Sequence, residues 1–188
     1  MQLVKLYGCR HSGTKYLTQL LEKNFECTIV LKKFSHKHTM PKGIPPDFKV
    51  IAIIKNPYSY IVSARKRGWS KNNSVKQLIN SYVATNNAWK KLTDKQGIMI
   101  RYEDLLFDFN NTMEKVREAL DLEMKEKNFT NIVEICGQPN WKLNNSELKF
   151  NMDYYKNEEY LLDLSRTDLD IINSIAKSII QQFGYGVK

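Results

Sequence analysis

Eight consecutive residues near the N-terminus, Gly8-Cys9-Arg10-His11-Ser12-Gly13-Thr14-Lys15, combine two glycines, two hydroxyls and three basic groups. They follow an apolar stretch that reads as a strand and run straight into helical spacing. Backbone N–H groups at such a turn, aided by the positive end of the helix dipole, bind anions. The glycines let the main chain approach a phosphate closely. The nearest general template is the nucleotide-triphosphate loop GxxxxGK(S/T). Both glycines keep that spacing, but Thr14-Lys15 reverses the order of the final pair. Thr14 stands where a lysine would bridge phosphates, and Lys15 where a hydroxyl would hold Mg²⁺.

A second group agrees. Lys55 ends the apolar run 50–54. A nucleotide triphosphatase needs an Asp on such a strand to hold Mg²⁺; a cation there repels a metal and attracts a phosphate. Ser63 falls about two turns into the helix that Pro57 opens. A phosphate bound beside it meets a cation, a hydroxyl and the early N–H groups of that helix.

The three histidines, His11, His36 and His38, lie in or near the loops that follow the first two strands. With an ordinary pKa near 6.5, histidine accepts a proton at neutral pH. All three are candidate general bases. The plainer reading is solvated loop residues, with His11 only shaping the turn. Glu103 and Asp104 resemble an acid/base pair, but their expected part is to cap and brace the loop after a strand. Arg101 reads as a sheet-edge charge, and Trp89 as helix packing.

Together these residues resemble the motifs of sulfotransferases that use 3′-phosphoadenosine 5′-phosphosulfate (PAPS). His11-Ser12-Gly13-Thr14-Lys15 is similar to the family's 5′-phosphosulfate loop, (K/R)SGTT. Lys55-Asn56-Pro57 with Ser63 resembles RNPxDxxxS, whose Arg and Ser bind the 3′-phosphate. Tyr102-Glu103-Asp104-Leu105 looks like the later YEDL segment, and Phe183-Gly184-Tyr185 like the end of many bacterial members. The resemblance spans nearly the whole chain, in order. It departs at His11 and Lys55, where the family has Lys or Arg and Arg, and at Ser59, which replaces an acid. The C-terminal Arg-Lys-Gly motif is missing; Arg65, Lys66 or Arg67 are substitutes to consider.

The resemblance implies transfer of a sulfuryl group from PAPS to a hydroxyl acceptor, a glycan or small polar metabolite, leaving 3′-phosphoadenosine 5′-phosphate (PAP). It implies nucleotide contacts at Arg10, His11, Ser12, Gly13, Thr14, Lys15, Tyr16, Lys55 and Ser63, and no metal. Tyr16 serves equally as an aromatic against adenine or as core. His38, then His36, is the expected base, since Lys37-His38 with Thr39 and Pro41 resembles a Lys-His-x-x-Pro stretch of bacterial members. His11 completes the catalytic candidates. Trp69, Trp141, Lys142 and Lys149 are candidates to line or cover the cleft. Two other readings remain: a small kinase using Mg·ATP, and a basic nucleotide-binding module without catalysis.

The elements that position these residues alternate. Strands are expected over 3–7, 27–31, 50–54 and 98–102, and helices over 14–23, 58–66, 75–92, 112–120 and 168–183. Residues 34–47, with three prolines, form a loop, and 136–155 read as irregular. This order predicts an α/β fold: three layers with a central parallel sheet of the P-loop nucleotide-binding type, in one domain over 1–188. A net charge of +9 fits an anionic partner but is spread along the chain, unlike a nucleic-acid arm. Three widely spaced cysteines argue against a disulfide framework or zinc site. With no apolar segment of membrane-spanning length and no signal-peptide pattern, the expected place is the cytoplasm.

Overall fold

The computed structural model describes residues 2–66, 70, 72–132 and 152–188. Strands β1 (Gln2–Gly8), β2 (Cys27–Val30), β3 (Lys49–Ile54) and β4 (Gly97–Arg101) form a wholly parallel sheet in the order β2-β1-β3-β4. Helix α1 (Thr14–Asn24) links β1 to β2, and a loop over 31–48 carries the chain past β1 to β3. Helices α2 (Pro57–Arg65) and α3 (Val75–Gln96) precede β4. Helices α4 (Tyr102–Phe107), α5 (Phe109–Leu120), α6 (Met152–Lys156) and α7 (Arg166–Gln182) follow it.

The unbroken apolar run of β3 is explained by burial on both faces. Val50, Ala52 and Ile54 enter one core with Ile61 of α2, Leu78 and Tyr82 of α3, and Ile172 and Ile179 of α7. Ile51 and Ile53 enter the other, with Leu17 and Leu20 of α1, Leu105 of α4, and Met113 and Val116 of α5. The fold is therefore α/β, a parallel sheet with helices on both faces, as its alternating pattern predicts. Helix starts follow local chemistry: Ser74 with Gln77 and Ser165 with Asp168 form reciprocal capping boxes on α3 and α7.

Most boundaries shift by a residue or two from the sequence reading, and four differences matter for the site. Tyr102 leaves the strand and opens α4, a helix too short to show a period. Helix α5 starts at Phe109 rather than 112. Helix α3 runs on to Gln96, whose amide donates to the carbonyls of Pro45 (3.0 Å) and Phe48 (2.8 Å). Residues 152–156 are helical, not irregular; Tyr154 and Tyr155 are held there by ring contacts with Tyr160. The rest of that segment, with Cys136, Trp141, Lys142 and Lys149, lies outside the described residues, as do Arg67 and Trp69.

Candidate functional site

In parallel α/β sheets the ligand crevice lies beyond the carboxyl ends of strands whose following helices leave to opposite faces. Strands β1 and β3 are such neighbours, because α1 packs in one core and α2 in the other. The loop 8–14 closes β1, and Lys55-Asn56 closes β3.

Helix α1 opens on Gly13, whose φ of 88° is left-handed. Its first helical bond runs from Leu17 N to Gly13 O at 2.9 Å. A Cβ at Gly13 would sit 2.4 Å from the Tyr102 ring, so only glycine fits both the angle and the space. Ser12 is fully buried and donates its Oγ to Cys9 O at 2.6 Å, fixing the turn from within. Thr14 is buried, His11 and Lys15 are half-buried, and Arg10 is exposed. His11 also has a left-handed φ, 65°. Tyr16 lies in the core, edge-on to Tyr102, with its hydroxyl donating to Asn131 Oδ1 at 2.6 Å.

At the end of β3, Lys55 Nζ donates to Ser63 Oγ at 2.9 Å and to the Tyr155 hydroxyl at 3.1 Å. The ammonium is 5.3 Å from the Tyr102 ring centre and 5.0 Å from that of Tyr155. Burial lowers its pKa to about 8, while Glu103 pulls the other way. Pro57 begins α2, and Asn56 caps it by accepting from Tyr58 N at 3.0 Å. Ser59 turns back to the Asn56 carbonyl, 3.1 Å away. Glu103 accepts from Asn56 N (2.9 Å) and from the Tyr185 hydroxyl (3.0 Å), so it braces the turn. Burial raises its pKa.

The loop after β2 returns to the end of β1. Gly8 N donates to Lys37 O at 3.0 Å, and His38 Nδ1 lies 2.6 Å from Gly8 O. A carbonyl oxygen only accepts, so Nδ1 carries the proton and the lone pair sits on Nε2. Burial lowers the pKa of His38 to about 4, with Lys37, His36 and Arg10 adding to the effect and the Gly8 bond opposing it. His36 is exposed, and its Nδ1 accepts from His38 N at 3.4 Å, which leaves its proton on Nε2. The two rings stand 5.0 Å apart.

Other charges are committed elsewhere. Arg65 makes a two-pronged pair with Asp168, both bonds 2.8 Å, and Lys66 pairs with Asp163 at 2.8 Å. Arg101, on edge strand β4, bonds Asp104 and donates to Phe183 O. Trp89 is fully buried, stacks on Tyr7 and donates to Thr39 O at 3.1 Å.

Sequence reasoning passed over two residues here. Lys5, fully buried on β1, donates to Leu31 O (3.1 Å) and Ser35 O (2.6 Å), tying down the loop that bears His38. Its one signal was a lysine inside an apolar strand. Tyr155, a partner of Lys55, had no signal at all.

No family model matches the chain, and no curated protein matches it. Among solved structures it is similar to the crystal structure of mouse sulfotransferase SULT7A1 complexed with PAP. The TM-score is 0.50 at 13% identity, covering 96% of this chain and 89% of that one. The chain thus has a sulfotransferase-like α/β fold. Among the described residues, no helix is long and apolar enough to cross a membrane.

Proposed function

We propose that this chain is a single-domain sulfotransferase that moves a sulfuryl group from PAPS to a hydroxyl acceptor. The observation that carries the reading is the Lys55–Ser63 contact beside the glycine loop. Lys55 and Ser63 stand beyond the end of β3, and the loop that carries Arg10 and Lys15 stands beyond the end of the neighbouring β1, at the start of α1. All are hydrogen-bond donors, the chemistry that fits a nucleotide with phosphate at both ends. When bound, PAPS supplies the sulfur, which bonds to the acceptor oxygen as its bond to the phosphate oxygen breaks.

Each residue then has a task. Lys55 and Ser63 hold the 3′-phosphate. Ser12, Gly13, Thr14 and Lys15 form the loop for the phosphosulfate, with Arg10 and His11 at its edge and Tyr16 beneath it. His38 Nε2 accepts the acceptor's proton; burial chiefly keeps its pKa low, and a bound anion offsets the part that neighbouring cations add. His36 and His11 are secondary candidates. The free thiols Cys9 and Cys27 suit the reducing cytoplasm. A thermal-shift comparison tests the reading: PAP should raise Tm well above Mg·ATP at equal concentration. The reverse order would support a kinase.

A further inference from the structure

One buried charge lies outside the crevice. Lys5 sits in the middle of β1 between Val4 and Leu6 and, like them, is fully buried. Taking an ammonium out of water is unfavourable unless its hydrogen bonds are made. Among the described residues Lys5 has no carboxylate partner. Its contacts are the carbonyls of Leu31 (3.1 Å) and Ser35 (2.6 Å), and the Tyr7 ring, whose centre is 5.0 Å away. Burial lowers its pKa to about 8, so it stays charged at neutral pH. Methionine would fill the same space without that penalty, so packing alone does not account for a lysine here.

The two carbonyls belong to the turn that leads to His38. Leu31 O also accepts from Lys37 N at 3.1 Å, so one oxygen joins the ammonium to the residue before His38. Lys37 O accepts from Gly8 N, and His38 Nδ1–H donates to Gly8 O. A hydrogen-bonded chain thus runs from Lys5 through Leu31 and Lys37 to Gly8, where the phosphate loop begins, and back to the His38 ring. Inside the turn, Phe34 and Ser35 have φ of 67° and 152°, backbone that residues with side chains rarely adopt. Such backbone persists only where its surroundings over-determine it. Lys5 grips the turn at both ends, and the Tyr7 hydroxyl meets Ser35 Oγ at 2.8 Å. Without the ammonium the turn relaxes toward ordinary angles, and Lys37 and His38 shift with it.

We propose that Lys5 is a positioning residue for the transfer reaction: its ammonium fixes the turn so that His38 stays bonded to Gly8 O and presents an unprotonated Nε2. This rests on the reading of His38 as the base of a sulfotransferase. Lys5 acts only through that ring.

The test uses nuclear magnetic resonance of the full chain labelled with ¹³C and ¹⁵N. In the wild type, couplings across the hydrogen bonds should link Lys5 Nζ to the Leu31 and Ser35 carbonyl carbons. Long-range ¹H–¹⁵N spectra should show His38 as the Nδ1–H tautomer. In Lys5→Met the His38 signals should average between the two tautomers as the Gly8 bond loosens. The ring's pKa should also rise from about 4 by at least about one unit, because it gains water. PAP affinity, by calorimetry, should stay within about threefold. A lysine that only stabilises the fold would lower Tm and leave the ring unchanged, and that result overturns the proposal. Should Lys5→Met not fold, Lys5→Gln, one atom shorter and uncharged, should change the ring in the same way; an unchanged ring again overturns it. Missing couplings in the wild type overturn it without any variant. Failure of the wild type to bind PAP overturns the sulfotransferase reading and this one with it.

Discussion

Lys55 Nζ and Ser63 Oγ meet at 2.9 Å although one ends a strand and the other lies in the second turn of the next helix. Pro57 and the Asn56 cap set the entry of α2 so that an eight-residue separation closes into contact. Glu103 holds the same turn from behind through Asn56 N. The cation and the hydroxyl are thus held together before any ligand arrives, and on the proposed reading a 3′-phosphate would meet both at once.

Lys55→Ala should therefore weaken PAP binding by about 1.5–3 kcal/mol, the worth of a lost charged hydrogen bond. It should also remove most of the preference over the nucleotide lacking the 3′-phosphate. The pH dependence has a definite sign: only protonated Lys55 attracts the phosphate, and its pKa in the free protein is about 8. PAP affinity should hold below that value and fall as pH rises through it. Titration calorimetry from pH 6 to about 9.5 checks both points.

Transfer should proceed in excess EDTA. Lys55 occupies the strand end where a metal carboxylate would stand, and Lys15 replaces the metal-binding hydroxyl. A strict Mg²⁺ requirement, measured with the purified chain, would return the argument to a kinase.

Gly13→Ala places a Cβ against Tyr102 at a left-handed φ. A cost of about 1–3 kcal/mol is expected from strain and overpacking combined. Because Tyr102 also lies over Lys55, PAP affinity should drop as well. Urea unfolding and calorimetry on the same variant separate the two effects. Unchanged stability would mean the loop relaxes without loss.

The elements that were legible in the sequence are those whose cause is local. The glycine spacing of the loop after β1, the apolar run of β3, and the Lys55-to-Ser63 interval each declare themselves within ten residues or so. What was hidden depends on distant chain. Lys5 finds its acceptors 26 and 30 residues away, and Tyr155 reaches Lys55 across 100 residues. Tyr102 was read as the end of a strand, yet it opens α4 and its ring closes against Gly13 and Lys55. The histidine pair shows the same division. Sequence named both residues and ranked His38 first, but only the structure shows their opposite proton placements, His38 bonded through Nδ1 to Gly8 O and His36 accepting at Nδ1.

That distinction carries the last prediction, that His38 is the general base. Its Nδ1–H is engaged by Gly8 O, so Nε2 offers a lone pair. His36 accepts at Nδ1 and carries its proton on Nε2, the wrong arrangement for the same task from the same side. A positioned base contributes typically about 10²–10⁴-fold to rate. His38→Ala should thus cut kcat at least about a hundredfold while PAP affinity stays within a few-fold, and His36→Ala should do much less. The pH profile gives a second, independent readout. Burial among cations holds His38 at a pKa of about 4 in the free protein, so it loses its proton at far lower pH than an ordinary histidine. The acid limb of kcat/KM, which reports the free enzyme, should lie well below 6.5. In kcat it should move upward, because bound anions favour the protonated ring. A larger loss of kcat in His36→Ala than in His38→Ala would point to the exposed His36 instead. If neither substitution slows turnover, the proton leaves through another group, and Glu103, half-buried at the base of the Asn56 turn with its pKa raised, is the next residue to replace.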